Sequence, residues 1–520
     1  MPVLHLTSCL HGGILSWLSS RLLILASLFV LANAADSHAA DPSANRGNDD
    51  KTVPHNVRFD DCSIGTTGIV LPAQCATLEV PLNPADPAAG VQSLAVAKIA
   101  SRRRSGNTDA LTLLAGGPGQ SAIDTFPGIA FAFRHIMRDR DVILIDQRGT
   151  GDSTSLDCPE DTVAAVDSGL GLDTDPGKIS QLAADCLASL DADPRLFTTS
   201  IAVKDLENVR QQLGISQWNL YGISYGTRVA MHYLRRYPDA VRSIVLDAVV
   251  PPQISLGPDI ASLAQQSLER IFARCEQDTG CNDAFGNLTL PTLALIDELR
   301  ARPRSITYED VATGQLTTRE FTHDHLAMTL RLMSYSSQTA AILPSMLYEA
   351  IQNNNLAPLA RQSDTQGSSL SNSLSTGMHH AVICTEDVPF FDDQADTSTS
   401  NSYLGDDLIA GIKATCDAWP AGTIDDDFKD ALVSDKPALI LSGDADPITP
   451  PAYGELVART LPNARHIVNE AQGHMQAAFG CMPVLLAKFV DTSNALDLET
   501  DCLKRLRPLP FFVDANGPLP

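Results

Sequence analysis

A chain of 520 residues with a 44% hydrophobic fraction has ample material for a globular core, and its length exceeds one average domain. Its formal net charge of −25 argues against nucleic acid or an anionic membrane as partner, since both would repel it. What remains is a solvated acidic surface around a conventional core.

Residues 1 to about 34 read as a secretory signal peptide. Arg21 precedes the apolar run Leu22 to Ala32, which is too short to span a bilayer, and Ala32-Asn33-Ala34 fits a small-x-small cleavage site. The mature chain is therefore expected to be exported, to the periplasm or outside the cell, with no stable membrane anchor. Asp36 to Lys51 reads as a flexible lead-in. Setting aside Cys9 leaves ten cysteines, an even number that in an exported chain points to disulfides. Paired as sequence neighbours they would join Cys62 to Cys75, Cys158 to Cys186, Cys275 to Cys281, Cys384 to Cys416 and Cys481 to Cys502. No C-x-x-C pair or Cys/His cluster suggests a metal site, and no cofactor motif is present.

Strand-like runs follow at Ala76 to Leu82, Gln92 to Ala100 and Ala110 to Leu114. The last runs into Ala115-Gly116-Gly117-Pro118-Gly119, a glycine loop without either phosphate-binding pattern. Bare backbone there suits an oxyanion hole, with Gly117 as one amide donor. Another strand, Asp141 to Ile145, leads to Asp146-Gln147-Arg148-Gly149-Thr150-Gly151, where Arg148 is expected to brace loops by pairing with a carboxylate. A helical stretch, Ser200 to Leu213, delivers the chain to the apolar run ending Tyr221-Gly222-Ile223-Ser224-Tyr225-Gly226.

This G-x-S-x-G run, between a strand and the amphipathic stretch Thr227 to Tyr237, has the form of a nucleophile elbow. A serine forced into so sharp a turn sits against its own strand and helix, so side chains two residues either side would collide. Ser224 is the expected nucleophile, with the Tyr225 amide as the second oxyanion donor.

Another strand, Ser243 to Val250, precedes Pro251-Pro252, and from about 254 to 430 the chain is largely helical in period, as at Ile260 to Cys275 and Asp324 to Met333. Ser-rich linkers are expected at Ser363 to Ser375 and Asp396 to Ser402. The core pattern resumes at Pro437 to Gly443, followed by Asp444-Ala445-Asp446; the strand-like run Arg465 to Val468 is followed by Gly473-His474. Asp446 is the expected acid, with Asp444 supporting the turn, and His474 the expected base. A serine hydroxyl is a poor nucleophile, so a histidine must take its proton and a carboxylate must hold the imidazolium. Alternating strands and helices predict a mostly parallel central sheet with helices on both faces. The expected organisation is a signal peptide at 1–34, a first core part at 35–253, a helical cap at 254–430 and a second core part at 431–520.

The motifs at 116–119, 146–153, 222–227, 443–450 and 473–474, in the chain order Ser, Asp, His, resemble the proline iminopeptidase and tripeptidyl aminopeptidase family of α/β-hydrolases, and the exported tripeptidyl aminopeptidase branch in particular. Ala115 stands where many iminopeptidases have a histidine, which argues against strict prolyl specificity. The resemblance implies peptide substrates with a free N-terminus, cleaved through an acyl-enzyme. It also implies a carboxylate that binds the substrate ammonium, for which Glu386 in Ile383-Cys384-Thr385-Glu386-Asp387 is the candidate. A secreted carboxylesterase or lipase-like hydrolase would use the same machinery, and a non-catalytic binding protein could keep the scaffold.

Overall fold

The computed structural model describes residues 57–65, 68–103, 105–159, 175–392, 402–514 and 516–518. The expected signal peptide, the lead-in and most of the Asp396–Ser402 linker lie outside them. The strands are β1 (Asp60–Ile64), β2 (Leu71–Pro81), β3 (Val91–Ile99), β4 (Ala110–Leu114), β5 (Val142–Ile145), β6 (Trp218–Ile223), β7 (Val241–Asp247), β8 (Arg304–Glu309), β9 (Leu316–Phe321), β10 (Ala438–Gly443) and β11 (Ala464–Asn469). Nine of them form one sheet in the order β1-β2-β3-β5-β4-β6-β7-β10-β11. The run from β5 to β11 is parallel, whereas β1, β2 and β3 pair antiparallel at one edge.

Every residue of β4, β6 and β10 is buried. Successive side chains of a strand point to opposite faces, so such strands feed two cores at once. Trp218 and Leu220 pack in one cluster with helix Thr199–Gln212 and helix Tyr225–Arg236. Tyr221 and Ile223 pack in the other, with Phe126, Phe133 and helix Met482–Thr492. The sheet is thus covered on both faces, as the sequence pattern predicts.

Between β7 and β10 the chain is mainly helical, with its own core around Leu268, Leu299, Leu330, Leu343 and Leu347. Three features depart from expectation. The antiparallel pair β8–β9 interrupts the helices. The stretch Ser363–Ser373, expected as a linker, belongs to helix Ala357–Ser373; it covers the cavity described below, so tertiary packing overrides its serine-rich composition. Finally, Met378, Ala381 and Val382 of helix Thr376–Glu386 join the main sheet cluster, although they fall within the stretch expected as cap.

The structure bridges the same five cysteine pairs expected from sequence order, with Cα–Cα separations of 5.0–6.2 Å. Arg148 is fully buried and forks onto Asp205, Nε to Oδ2 at 2.6 Å and Nη2 to Oδ1 at 2.7 Å. It also donates to the carbonyls of Leu82 and Leu196, tying three segments together. Removing one partner of such a pair strands the other charge in the interior, so Arg148→Met is expected to destabilise the fold by about 3–5 kcal/mol. A lowered urea midpoint checks this; an unchanged midpoint would refute the bracing role.

Candidate active site

The C-terminal ends of β4, β6, β7, β10 and β11 lie side by side in the sheet, and each carries one part of the site. This is where open parallel sheets gather polar groups, because the loops there converge on one crevice. After β6 the chain turns at Ser224, whose φ of 53° and ψ of −124° are strained for a residue with a side chain. A Cβ at Gly222 would lie 2.5 Å from the carbonyl oxygen of Gly226, and one at Gly226 would lie 2.0 Å from that of Leu114. Both elbow glycines are therefore required by backbone approach. The turn is pinned by Ser224 N–H donating to Asp247 O at 2.9 Å, and by Thr227 donating from its amide and hydroxyl to Ser224 O.

Asp446 follows β10 and is 2% exposed. Its Oδ1 accepts the amides of Ile448 and Thr449, at 3.0 and 2.9 Å. Its Oδ2 accepts the Thr449 hydroxyl at 2.7 Å and lies 2.8 Å from His474 Nδ1. That contact places the ring proton on Nδ1 and leaves Nε2 as an acceptor. Burial alone would raise the Asp446 pKa, but His474 and the Thr449 bonds outweigh it and hold the carboxyl below its ordinary value. For His474, burial opposes the charged form, yet the Asp446 carboxylate reverses the balance and the net shift is upward.

The loop carrying His474 is held at four points. His474 N–H donates to Tyr335 O at 2.7 Å, and the Tyr335 ring stands edge-on to the imidazole. Ala471 N–H donates to the Asp444 carboxylate, so that side chain braces the histidine loop, where its own turn was the expected place. The amides of Gln476 and Ala477 donate to the Asp247 carboxylate. Asp247 was not foreseen from the sequence. It holds the elbow through its carbonyl and the histidine loop through its side chain; burial pushes its pKa up to about 6. A carboxylate inside an apolar strand was the available signal, since such a group must be fully partnered.

Gly117, after β4, has a φ of +99°, and a Cβ there would lie 2.8 Å from both Gly119 N and Leu374 Cδ1. The loop is clamped by Ser375 N–H donating to Gly119 O at 2.9 Å and by His379 Nδ1, 3.1 Å from Pro118 O. Burial pushes the His379 pKa down to about 4, so its ring is neutral and can donate. Tyr225 is the first residue of its helix, and its amide starts the helix behind Ser224.

Gly117, Ser224 and His474 line one cavity of about 430 Å³. Among the described residues the Ser224 hydroxyl makes no hydrogen bond to His474. Glu386 does not line this cavity. It is fully buried; its oxygens accept the Thr199 amide at 2.7 Å and the Thr199 hydroxyl at 2.9 Å, and Arg228 lies 3.9 Å away. Burial raises its pKa to about 7. A group so enclosed cannot receive a substrate ammonium without breaking these bonds, so the amine-binding part expected of Glu386 is withdrawn in favour of a bracing one.

A strained serine between strand and helix, on a parallel sheet wrapped by helices, defines an α/β-hydrolase. A family model described as alpha/beta hydrolase fold matches residues 109–283, and one described as TAP-like protein matches residues 401–502. The chain thus has the α/β-hydrolase fold, and its residues 401–502 match the TAP-like model. Relatives include the putative hydrolase YuaR of Escherichia coli (strain K12), 28% identical over 40% of this chain and 43% of that protein. The tripeptidyl aminopeptidase of Streptomyces lividans is 30% identical, over 39% of this chain and 42% of its own length. Carboxylesterase B of Mycobacterium tuberculosis (strain ATCC 25618 / H37Rv) is 28% identical over 49% of this chain and 53% of its own. The matches thus span about half the length of these relatives, or less.

Proposed function

We propose that this chain is an exported serine hydrolase that releases N-terminal residues or short peptides through an acyl-enzyme. The observation that carries the hydrolase reading is the His474–Asp446 pair, bonded at 2.8 Å, with His474 lining one cavity with the strained Ser224 and with Gly117. In the proposed cycle His474 Nε2 takes the Ser224 proton as its oxygen attacks the scissile carbonyl. The Gly117 and Tyr225 amides stabilise the oxyanion, and the leaving amine receives the proton from His474. Water activated by the same imidazole then hydrolyses the ester. Five disulfides suit an oxidising compartment and support export.

The aminopeptidase part of this reading rests on the TAP-like match and on the relative named tripeptidyl aminopeptidase. A carboxylesterase is the second reading, favoured by a cavity wall that is largely apolar and, among the described residues, has no carboxylate to meet a free ammonium. Parallel assays separate the two. A peptidase is expected to turn over tripeptidyl p-nitroanilides with a free N-terminus at least tenfold better, in kcat/KM, than the N-acetylated forms. Hydrolysis of p-nitrophenyl acyl esters with none of either anilide would reject the peptidase reading and keep the hydrolase.

A further inference from the structure

Four arginines are buried among the described residues: Arg140, Arg148, Arg228 and Arg331. Three are matched to carboxylates inside the protein. Arg140 bonds Asp109 at 2.7 Å, Arg148 forks onto Asp205, and Arg228 bonds Asp387 at 2.9 Å. Arg331 is different. It lies on helix His323–Met333, is 8% exposed, and no carboxylate pairs with it among the described residues. Its side-chain hydrogen bond goes to a neutral group, Nη2 to the Tyr335 hydroxyl at 3.3 Å, and its guanidinium stands 5.9 Å from that ring's centre.

Arg331 lines the same cavity as Ser224 and His474, whose wall is otherwise dominated by aliphatic side chains such as Leu256, Ile260, Leu370, Leu408 and Ile412. A guanidinium held in apolar surroundings without a counter-charge is costly, and a carboxylate arriving with a ligand would offset that cost through charge-assisted hydrogen bonds. The planar fork of arginine suits such a group better than a point charge does. No lining carboxylate competes for it.

We infer that Arg331 is the anion anchor of this cavity and that the substrate carries a carboxylate on an otherwise apolar body. The inference rests on the reading of Ser224 as nucleophile only for where the scissile bond lies; binding of the carboxylate does not need it. The carboxylate could be an acidic side chain on the acyl side of the scissile bond or the free C-terminus of a short peptide.

Two matched pairs distinguish these sources: Gly-Leu-Glu against Gly-Leu-Gln p-nitroanilide, and Gly-Leu-Ala against its C-terminal amide. Affinities are measured by calorimetry on the Ser224→Ala protein, and kcat/KM on the wild type. In at least one pair the carboxylate member is expected to bind about 10- to 100-fold more tightly, the scale of a buried charge-assisted hydrogen bond. Arg331→Met brings that ratio to about one, and Arg331→Lys restores part of it. A ratio below threefold in both pairs with unsubstituted Arg331 overturns the inference, whatever the variants do. So does a ratio that survives Arg331→Met. If the carboxylate members bind tightly but the wild type turns over none of the substrates, the anchor stands and the Ser224 reading fails.

Discussion

Ser224→Ala is expected to lower kcat on the order of 10^6-fold, the scale on which triad hydrolases lose activity with their serine. It should also abolish covalent labelling by a fluorophosphonate probe. The fold should survive. Alanine meets the same backbone strain at φ 53° as serine does, and the hydrogen bonds that pin the elbow run through the Ser224 backbone and Thr227, not through the serine hydroxyl. Circular dichroism of the variant separates lost chemistry from lost structure. Wild-type protein that takes no label would point to a binding protein on a hydrolase scaffold. Variant protein that keeps its turnover would remove Ser224 from the reaction altogether.

That serine could be picked out because its neighbours leave so little freedom. Gly222 and Gly226 are fixed by atoms 2.5 and 2.0 Å from where a side chain would begin, and such positions show in a sequence as glycines at set spacing. The inner strands of the parallel part were legible for a related reason: buried on both faces, they are nearly continuous apolar runs, as at Ala110–Leu114 and Ala438–Gly443. Strand β1, Asp-Asp-Cys-Ser-Ile, gave no such run, because it sits at the sheet edge with mostly exposed side chains. The hairpin β8–β9 alternates partly buried and exposed residues within a helical stretch, and its local pattern was too weak to register. Glu386 failed for another reason. Its neighbourhood was identified from the chain, but whether a carboxylate opens to a cavity or is spent on Thr199 depends on a contact 187 residues away. Asp247 and Arg331 are likewise polar residues in apolar settings, whose meaning comes from what distant segments bring or fail to bring to them.

The second large effect is expected from Asp446→Asn. In the native site Oδ2 accepts from Thr449 and from His474 Nδ1, so the imidazole keeps its proton on Nδ1 and offers Nε2 as a base. An asparagine with its oxygen toward the Ile448 and Thr449 amides would turn its NH₂ group toward His474. Nδ1 would then become the acceptor, the proton would move to Nε2, and the base proposed for Ser224 would be lost. By comparison with serine triads, kcat should fall about 10^4-fold. The pH profile gives a separate check. With Asp446 ionised beside it, His474 titrates above its ordinary value, so wild-type kcat/KM should rise with pH along a limb centred above about 6.5 as the imidazole loses its proton. Without the Asp446 carboxylate, burial of the ring is opposed only by the smaller pull of Asp247 and disfavours the imidazolium, so the residual activity of the variant should reach its plateau at lower pH. A limb that stays in place after the substitution would mean that the titrating group is not His474, and the coupling of Asp446 to the base would have to be abandoned even if activity fell.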